Sequence, residues 1–226
     1  MQLVSEKTPT TCPKLLAFRA LQLIALAVLP FVLLIRVAVW FHEQYHAFAW
    51  MSVFFGALVT AAVLFLYGSY VQHRVVQKDF SPKVLQRNYA LALAAVLVYC
   101  ANGVWSISAA NVKEATVKEE FSTLHPILRL SISTLILLEK DLILTDAERK
   151  PEDYKQMGLD SKRASLHYEQ STGYTHAVDI RTKGHGWLRN KLIQGYFELM
   201  GFNTLVHKGT AEHLHVSLSS VDCAGI

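Results

Sequence analysis

The stretch Ser165–Ile180, SLHYEQSTGYTHAVDI, holds two histidines and an aspartate, and it ends in a strand signal. In an extended HAVDIR segment, Ala177 and Asp179 share one face, and His176, Val178 and Ile180 share the other. About thirty residues on, AEHLHVSL (Ala211–Leu218) sits inside FNTLVHKGTAEHLHVSL, which reads as a hairpin turning around Lys208-Gly209. His213 and His215 are two apart, so a strand shows both on one face.

Between these strands, GWLRNKLIQGYFELMG reads as an amphipathic helix, with Leu188, Leu192, Tyr196 and Leu199 marking one face and Gly201 as its C-cap. Upstream, LHPILRLSISTLILLEK reads as a core helix with Pro126 near its start. DLILTDAERK predicts a short buried strand over Leu142–Thr145 running into a loop, and PEDYKQMGLDSKRA is loop-like. The order gives a small α+β domain with a central antiparallel sheet over residues 124–226. NVKEATVKEE, with Lys113, Glu114, Lys118 and Glu119 spaced for pairing on a helix face, makes residues 111–123 a helical stalk. Lone loop histidines such as His125 and His185 read as surface residues.

The first 110 residues differ in kind. Hydrophobic residues make up 52% of the chain and charged residues 18%, which points to membrane segments. Three apolar stretches, about Leu15–Trp40, Ala47–Val71 and Tyr89–Ala110, each approach the roughly 20 residues that cross a bilayer. Trp40, Tyr45, Trp50, Tyr67, Tyr70, Tyr89 and Trp105 stand near their ends, as an aromatic belt does. The fold class is therefore three N-terminal transmembrane helices followed by the α+β domain.

Lys7, Lys14 and Arg19 flank the first span, and Arg74, Lys78, Lys83 and Arg87 lie between the second and third. The FHEQYH loop between the first and second has no lysine or arginine. By the positive-inside rule this predicts a multi-pass protein of the cytoplasmic membrane, N-terminus inside and C-terminal domain extracytoplasmic. The net charge of +4 is scattered, so no nucleic-acid partner is expected. The cysteines Cys12, Cys100 and Cys223 are odd in number and far apart, which excludes a disulfide framework.

A catalytic zinc site takes three ligands from His, Asp or Glu and keeps one position open. Asp179, His213, His215, Glu212 and either His167 or His176 are the candidates. The odd spacing of His176 and Asp179 sends those two side chains to opposite faces of a strand.

SLHYE…G…AVDI followed by HLHVSL resembles the zinc D-alanyl-D-alanine carboxypeptidases of the VanY type, with their pattern SxHxxGxAxD and then HxH. Their superfamily includes peptidoglycan endopeptidases and the hedgehog signalling domain. The likeness covers roughly Leu124–Ser219. It implies an antiparallel sheet with helices on one side, and Zn2+ held by His167, Asp179 and His215. It also implies Glu212 as general base, with His213 stabilising the transition state or orienting water. LTDAERKPEDY looks like the family's strand-then-arginine stretch, which gives Arg149 the terminal carboxylate of the substrate. Ser165 opens the motif as a structural residue.

This chain departs from the pattern in one place. His167 and Asp179 are twelve positions apart, and the extra residues lie among YEQSTGYTH. His167 reaches the site if Gln170–Tyr174 bulges outward. The resemblance thus implies a membrane-anchored zinc peptidase, a D,D-carboxypeptidase or endopeptidase acting on peptidoglycan stem peptides. The alternatives are a non-catalytic zinc-containing binding module of the same fold, and a membrane-lesion or transport protein with an appended peptidase domain.

Overall fold

A computed structural model describes residues 13–75, 81–105, 107–156, 158, 164–209 and 211–223. Lys7, Cys12 and Lys78 lie outside the described residues. Three long helices come first: α1 (Pro13–Tyr45), α2 (Ala49–Val75) and α3 (Pro82–Trp105). All three are long and apolar enough to cross a membrane, with candidate spans Val28–Tyr45, Ala49–Arg74 and Pro82–Trp105. The chain reverses between α1 and α2 at His46, whose φ of 47° is positive. The two helices then approach closely at Gly56, where a Cβ would stand 2.4 Å from the Leu34 carbonyl oxygen. Small residues at such crossings let membrane helices pack through their backbones.

Next come α4 (Ala115–Glu120), α5 (Pro126–Leu138), β1 (Leu144–Asp146), α6 (Pro151–Gln156), β2 (Ala177–Arg181), α7 (Trp187–Met200), β3 (Asn203–His207) and β4 (His213–Ser217). The strands form one antiparallel sheet in the order β1-β2-β4-β3. Helix α5 is the hub of the molecule. It starts with Pro126 in its first turn, and Ile127, Leu128, Leu130 and Ile132 are fully buried. It packs on α1, α2 and α3, where Ser133 Oγ donates to the Gly103 carbonyl at 2.7 Å. Its core is continuous with Val178, Ile180, Leu214 and Val216 of the sheet.

Several local expectations change. The α-helical part of the segment read as a stalk is the six-residue α4, and the segment is packed in: Val117 and Phe121 are buried, and Asn111 Nδ2 donates to the Lys140 and Leu142 carbonyls at 2.7 and 2.9 Å. The loop-like PEDYKQ is a helix, started by Pro151 and by Asp153 Oδ2 accepting from the Lys150 N–H at 2.6 Å. Helix α7 buries Ile193, Phe197 and Met200, while Leu188, Leu192 and Leu199 of the predicted apolar face are exposed.

Gly56→Leu is expected to lower the stability of the detergent-solubilised chain by about 1–3 kcal/mol, the usual cost of overpacking. Gly68→Ala, where a Cβ meets nothing within 4 Å, is expected to be neutral or slightly stabilising. Thermal unfolding of both variants beside the parent checks this.

Candidate functional site

The site lies on the open face of the sheet. Strands β2 and β4 pair so that Asp179 stands opposite His215 and Arg181 opposite His213, while β3 sets His207 opposite His213. Alternation then turns Asp179, His213, His215 and Ser217 to one side and Val178, Ile180, Leu214 and Val216 into the core. The open side is a cleft of about 620 Å³, whose lining includes these four residues with Arg149, His167 and His207.

His167 reaches the cleft because the extra residues fold away from it. The Gln170 N–H donates to the Tyr174 carbonyl at 3.0 Å and the Gly173 N–H to the Gln170 carbonyl at 2.8 Å. Gly173 takes a φ of 77°, which glycine adopts without steric cost. The segment closes into a turn, and the His176 N–H donates to the Leu166 carbonyl at 2.8 Å, laying residue 167 beside β2.

Three ligand-type atoms converge there. His167 Nε2 is 3.3 Å from Asp179 Oδ1, His215 Nδ1 is 2.9 Å from the same oxygen, and the two nitrogens are 3.3 Å apart. His167 Nδ1 donates to the Ala147 carbonyl at 2.9 Å, and its Nε2 faces the cluster. The trio could hold a metal ion.

Asp179 is 2% exposed. Burial alone would raise its pKa, but the hydrogen bonds with His167 and His215 and the nearby imidazoles hold it well below the usual carboxylate range. Its other oxygen, Oδ2, accepts from Arg149 Nη2 at 2.6 Å, and Arg149 Nε is 2.5 Å from Asp146 Oδ2. Burial would lower the Arg149 pKa; the two carboxylates outweigh it and raise it. Arg149 therefore lines the cleft, with its Nε and Nη2 engaged by two side chains of the protein itself.

His213 Nε2 lies 3.5 Å from Asp179 Oδ2, and its Nδ1 donates to the Ala211 carbonyl at 2.7 Å. Its ring stacks on His207 at 4.6 Å, a neighbour that sequence reading did not single out. The signal was there in strand parity, two steps from Leu205 across a short turn. Glu212 stands at the rim, between the lining residues Ala211 and His213 but not itself lining the cleft. It has the parity of Leu214 and Val216. Ser165 Oγ accepts from the His167 N–H at 3.3 Å and bonds the Tyr154 hydroxyl at 3.0 Å, a structural role.

His176 goes elsewhere. With His42 from the end of α1 and His125 before α5 it makes a second buried trio, ring centroids 4.7–5.3 Å apart, which by distance alone could also hold a metal ion. His176 Nδ1 donates to the Ser219 carbonyl at 3.1 Å, and its Nε2 lies 2.7 Å from Thr172 Oγ1. His125, read as a surface residue, is fully buried and accepts from the Ile127 N–H at 3.3 Å. The tip of α1 covers it, and nothing local in the sequence announces that cover. Comparisons with known protein families, with curated proteins and with solved structures find no match to this chain.

Burial holds the His176 pKa at about 4, against an ordinary 6.5; the Ser219 carbonyl offsets this in part, and His42 adds to it. The unfolded chain takes up this proton between roughly pH 6.5 and pH 4 while the folded chain does not, so stability falls as the pH drops through that window. A lower melting midpoint at pH 5 than at pH 7 is expected, with a shallower dependence in His176→Gln.

Proposed function

We propose that the sheet domain is a zinc-dependent peptidase of the VanY-like kind, anchored by α1–α3 and acting on peptidoglycan stem peptides. The observation that carries this reading is the convergence of His167, Asp179 and His215 on the cleft floor. Tetrahedral zinc bonded at about 2.0–2.1 Å sets neighbouring ligand atoms roughly 3.3 Å apart. The separations here are 3.3, 2.9 and 3.3 Å. The donor set of two imidazoles and a carboxylate also suits zinc. The antiparallel sheet with helices on its inner side agrees with the fold that the resemblance implies. An extracytoplasmic position, as the charge pattern predicts, is where such peptides lie.

When bound, zinc would supply a Lewis acid and an activated water at neutral pH. The chain's own residues do the rest. His167 is fixed in one tautomer by Ala147, and Asp179 is fixed in orientation by Arg149. Two residues qualify to accept the proton of the attacking water. The resemblance gives Glu212, at the rim. The geometry offers His213, whose Nδ1 donates to Ala211 and whose Nε2 faces the cleft 3.5 Å from Asp179 Oδ2.

A second reading, a zinc-containing module that binds peptides without cleaving them, has Arg149 in its favour. An arginine whose Nε and Nη2 already serve Asp146 and Asp179 has its charge matched twice over within the protein, and only its remaining N–H groups are left for a substrate carboxylate.

The deciding experiment is zinc analysis of the full chain in detergent, with mass spectrometry of a D-alanyl-D-alanine pentapeptide and of cross-linked peptides after incubation. One zinc with release of D-alanine or cleavage of the cross-link supports the peptidase; one zinc and intact peptides supports the binding module. Within the peptidase reading, His213→Ala is expected to lose about 10²–10⁴-fold in rate with zinc retained. Glu212→Gln is expected to stay within about tenfold of the parent. The reverse pattern assigns the base to Glu212. Arg149→Ala leaves Asp179 Oδ2 without its donor, and zinc affinity measured by chelator competition is expected to fall about 10–100-fold.

A further inference from the structure

The exposed leucines of α7 are not scattered. Leu188, Leu192 and Leu199 are 62, 66 and 62% exposed, and at 100° per residue they form one stripe. That stripe runs beside Arg189 and Tyr196, which are the residues α7 turns toward α5: Arg189 Nη2 pairs with Glu139 Oε1 at 2.8 Å, and the Tyr196 hydroxyl donates to the Ser131 carbonyl at 2.8 Å. The polar residues of α7 lie on its other side, where Gln194 and Glu198 bond Thr204 of β3. So the apolar stripe is on the flank next to α5 and the three long helices, and the polar stripe is on the flank next to the sheet.

Helix α5 continues this surface downward. His125, before its first turn, lies against His42 near the end of α1. Two turns on, Thr134 bonds the Tyr99 hydroxyl, and Tyr99 packs edge-on against Phe31 at 4.7 Å. Helix α5 thus runs antiparallel to α1 and reaches well into the candidate spans. Its last residues, Leu137 and Leu138, are 58 and 79% exposed, one turn beyond that level. The C-terminal end of α7 touches the same helix: a side chain at Gly201 would collide with Arg36 and Val39.

We propose that the α5–α7 flank of the sheet domain is seated in the surface of the bilayer that α1–α3 cross, with Leu137, Leu138, Leu188, Leu192 and Leu199 in contact with lipid acyl chains. The surface is continuous with the lipid-facing sides of the spans, and that continuity identifies its occupant. Five leucines on one flank in water would form the kind of apolar patch that soluble surfaces avoid. In the headgroup–acyl boundary the same pattern, apolar on one side and charged on the other, is what interfacial helices show. Glu139, next in the chain to Leu138, is paired with Arg189, so the charge that enters with this flank is matched. The domain is then a rigid part of the membrane surface rather than a head on a tether.

The test uses the full chain in phosphatidylcholine–phosphatidylglycerol vesicles, with Cys12, Cys100 and Cys223 replaced by serine. Nitroxides are placed one at a time at Leu188, Leu192 and Leu199, and at Lys191 and Gln194. Collision with oxygen is expected to exceed collision with a water-soluble nickel complex at the three leucine positions, and the order is expected to reverse at the other two. Nickel-dominated collision at all five positions overturns the proposal, as does protection of the leucine positions from both reagents, which would mark a second copy of the chain or another protein on the stripe. The unmodified chain gives an independent reading: a photoactivatable acyl-chain lipid is expected to label peptides from α5 and α7 as well as the spans. Labelling of the spans without α7 overturns the proposal, and labelling of neither overturns the membrane reading beneath it.

Discussion

The pairing of β2 with β4, in the register that sets Asp179 opposite His215, is the constraint on which the site depends. A strand's side chains alternate with a period of two, so a slip of one residue would turn Asp179 into the core and bring Val178 or Ile180 to the cleft. The register is held from the buried side. Val178, Ile180, Leu214 and Val216 are all within 1% of full burial, and none can exchange faces with a charged neighbour without a cost far above that of an ordinary substitution. The polar face is thus positioned by the apolar one. Strand β1 adds to this with an irregular step, pairing Leu144 with Ile180 and Asp146 with Asp179. That step carries the chain out of the sheet where Arg149 can turn back and reach both aspartates.

Helix α5 transmits the same order to the three long helices. One side of it supports the sheet, and the other lies on α1, α2 and α3. The histidine junction closes the remaining gap. His42 Nε2 and His176 Nδ1 both approach the Ser219 carbonyl, at 3.2 and 3.1 Å, and Ser219 Oγ donates to Glu43 at 3.1 Å. The end of α1, the start of β2 and the segment after β4 therefore meet at one backbone carbonyl. His176 and Asp179, three residues apart across the face of a strand, serve the two sides of the sheet: one joins it to α1, the other forms the cleft floor.

What could be read from the sequence was what is set by neighbours along the chain. The three apolar helices, the parity of HAVDIR and the HLH strand follow from periodicity, and the outward turn of Gln170–Tyr174 follows once His167 must lie beside β2. What could not be read was set by partners far away in sequence. Whether α7 buries Leu188 and Leu192 or Ile193 and Phe197 depends on what packs against it, since both sets are apolar and four apart. His125 looks like a loop residue until the tip of α1 is laid over it. The two acceptors of Arg149 come from one residue three positions away and another thirty positions away, and only the first is local. Glu212 lies at the junction of turn and strand, where parity gives way to the course of the turn.

The order of the cleft floor follows from these contacts. Arg149 brings one positive charge to two carboxylates, Asp146 and Asp179. The Nδ1–H of His167 is committed to Ala147, and its Nε2 stands 3.3 Å from Asp179 Oδ1. A metal ion at the centre of the trio would satisfy His167, Asp179 and His215 together, and would leave Arg149 in place as the donor that holds the second oxygen of Asp179. The three ligand-type atoms and the donor behind them are thus arranged as a metal ion would need them.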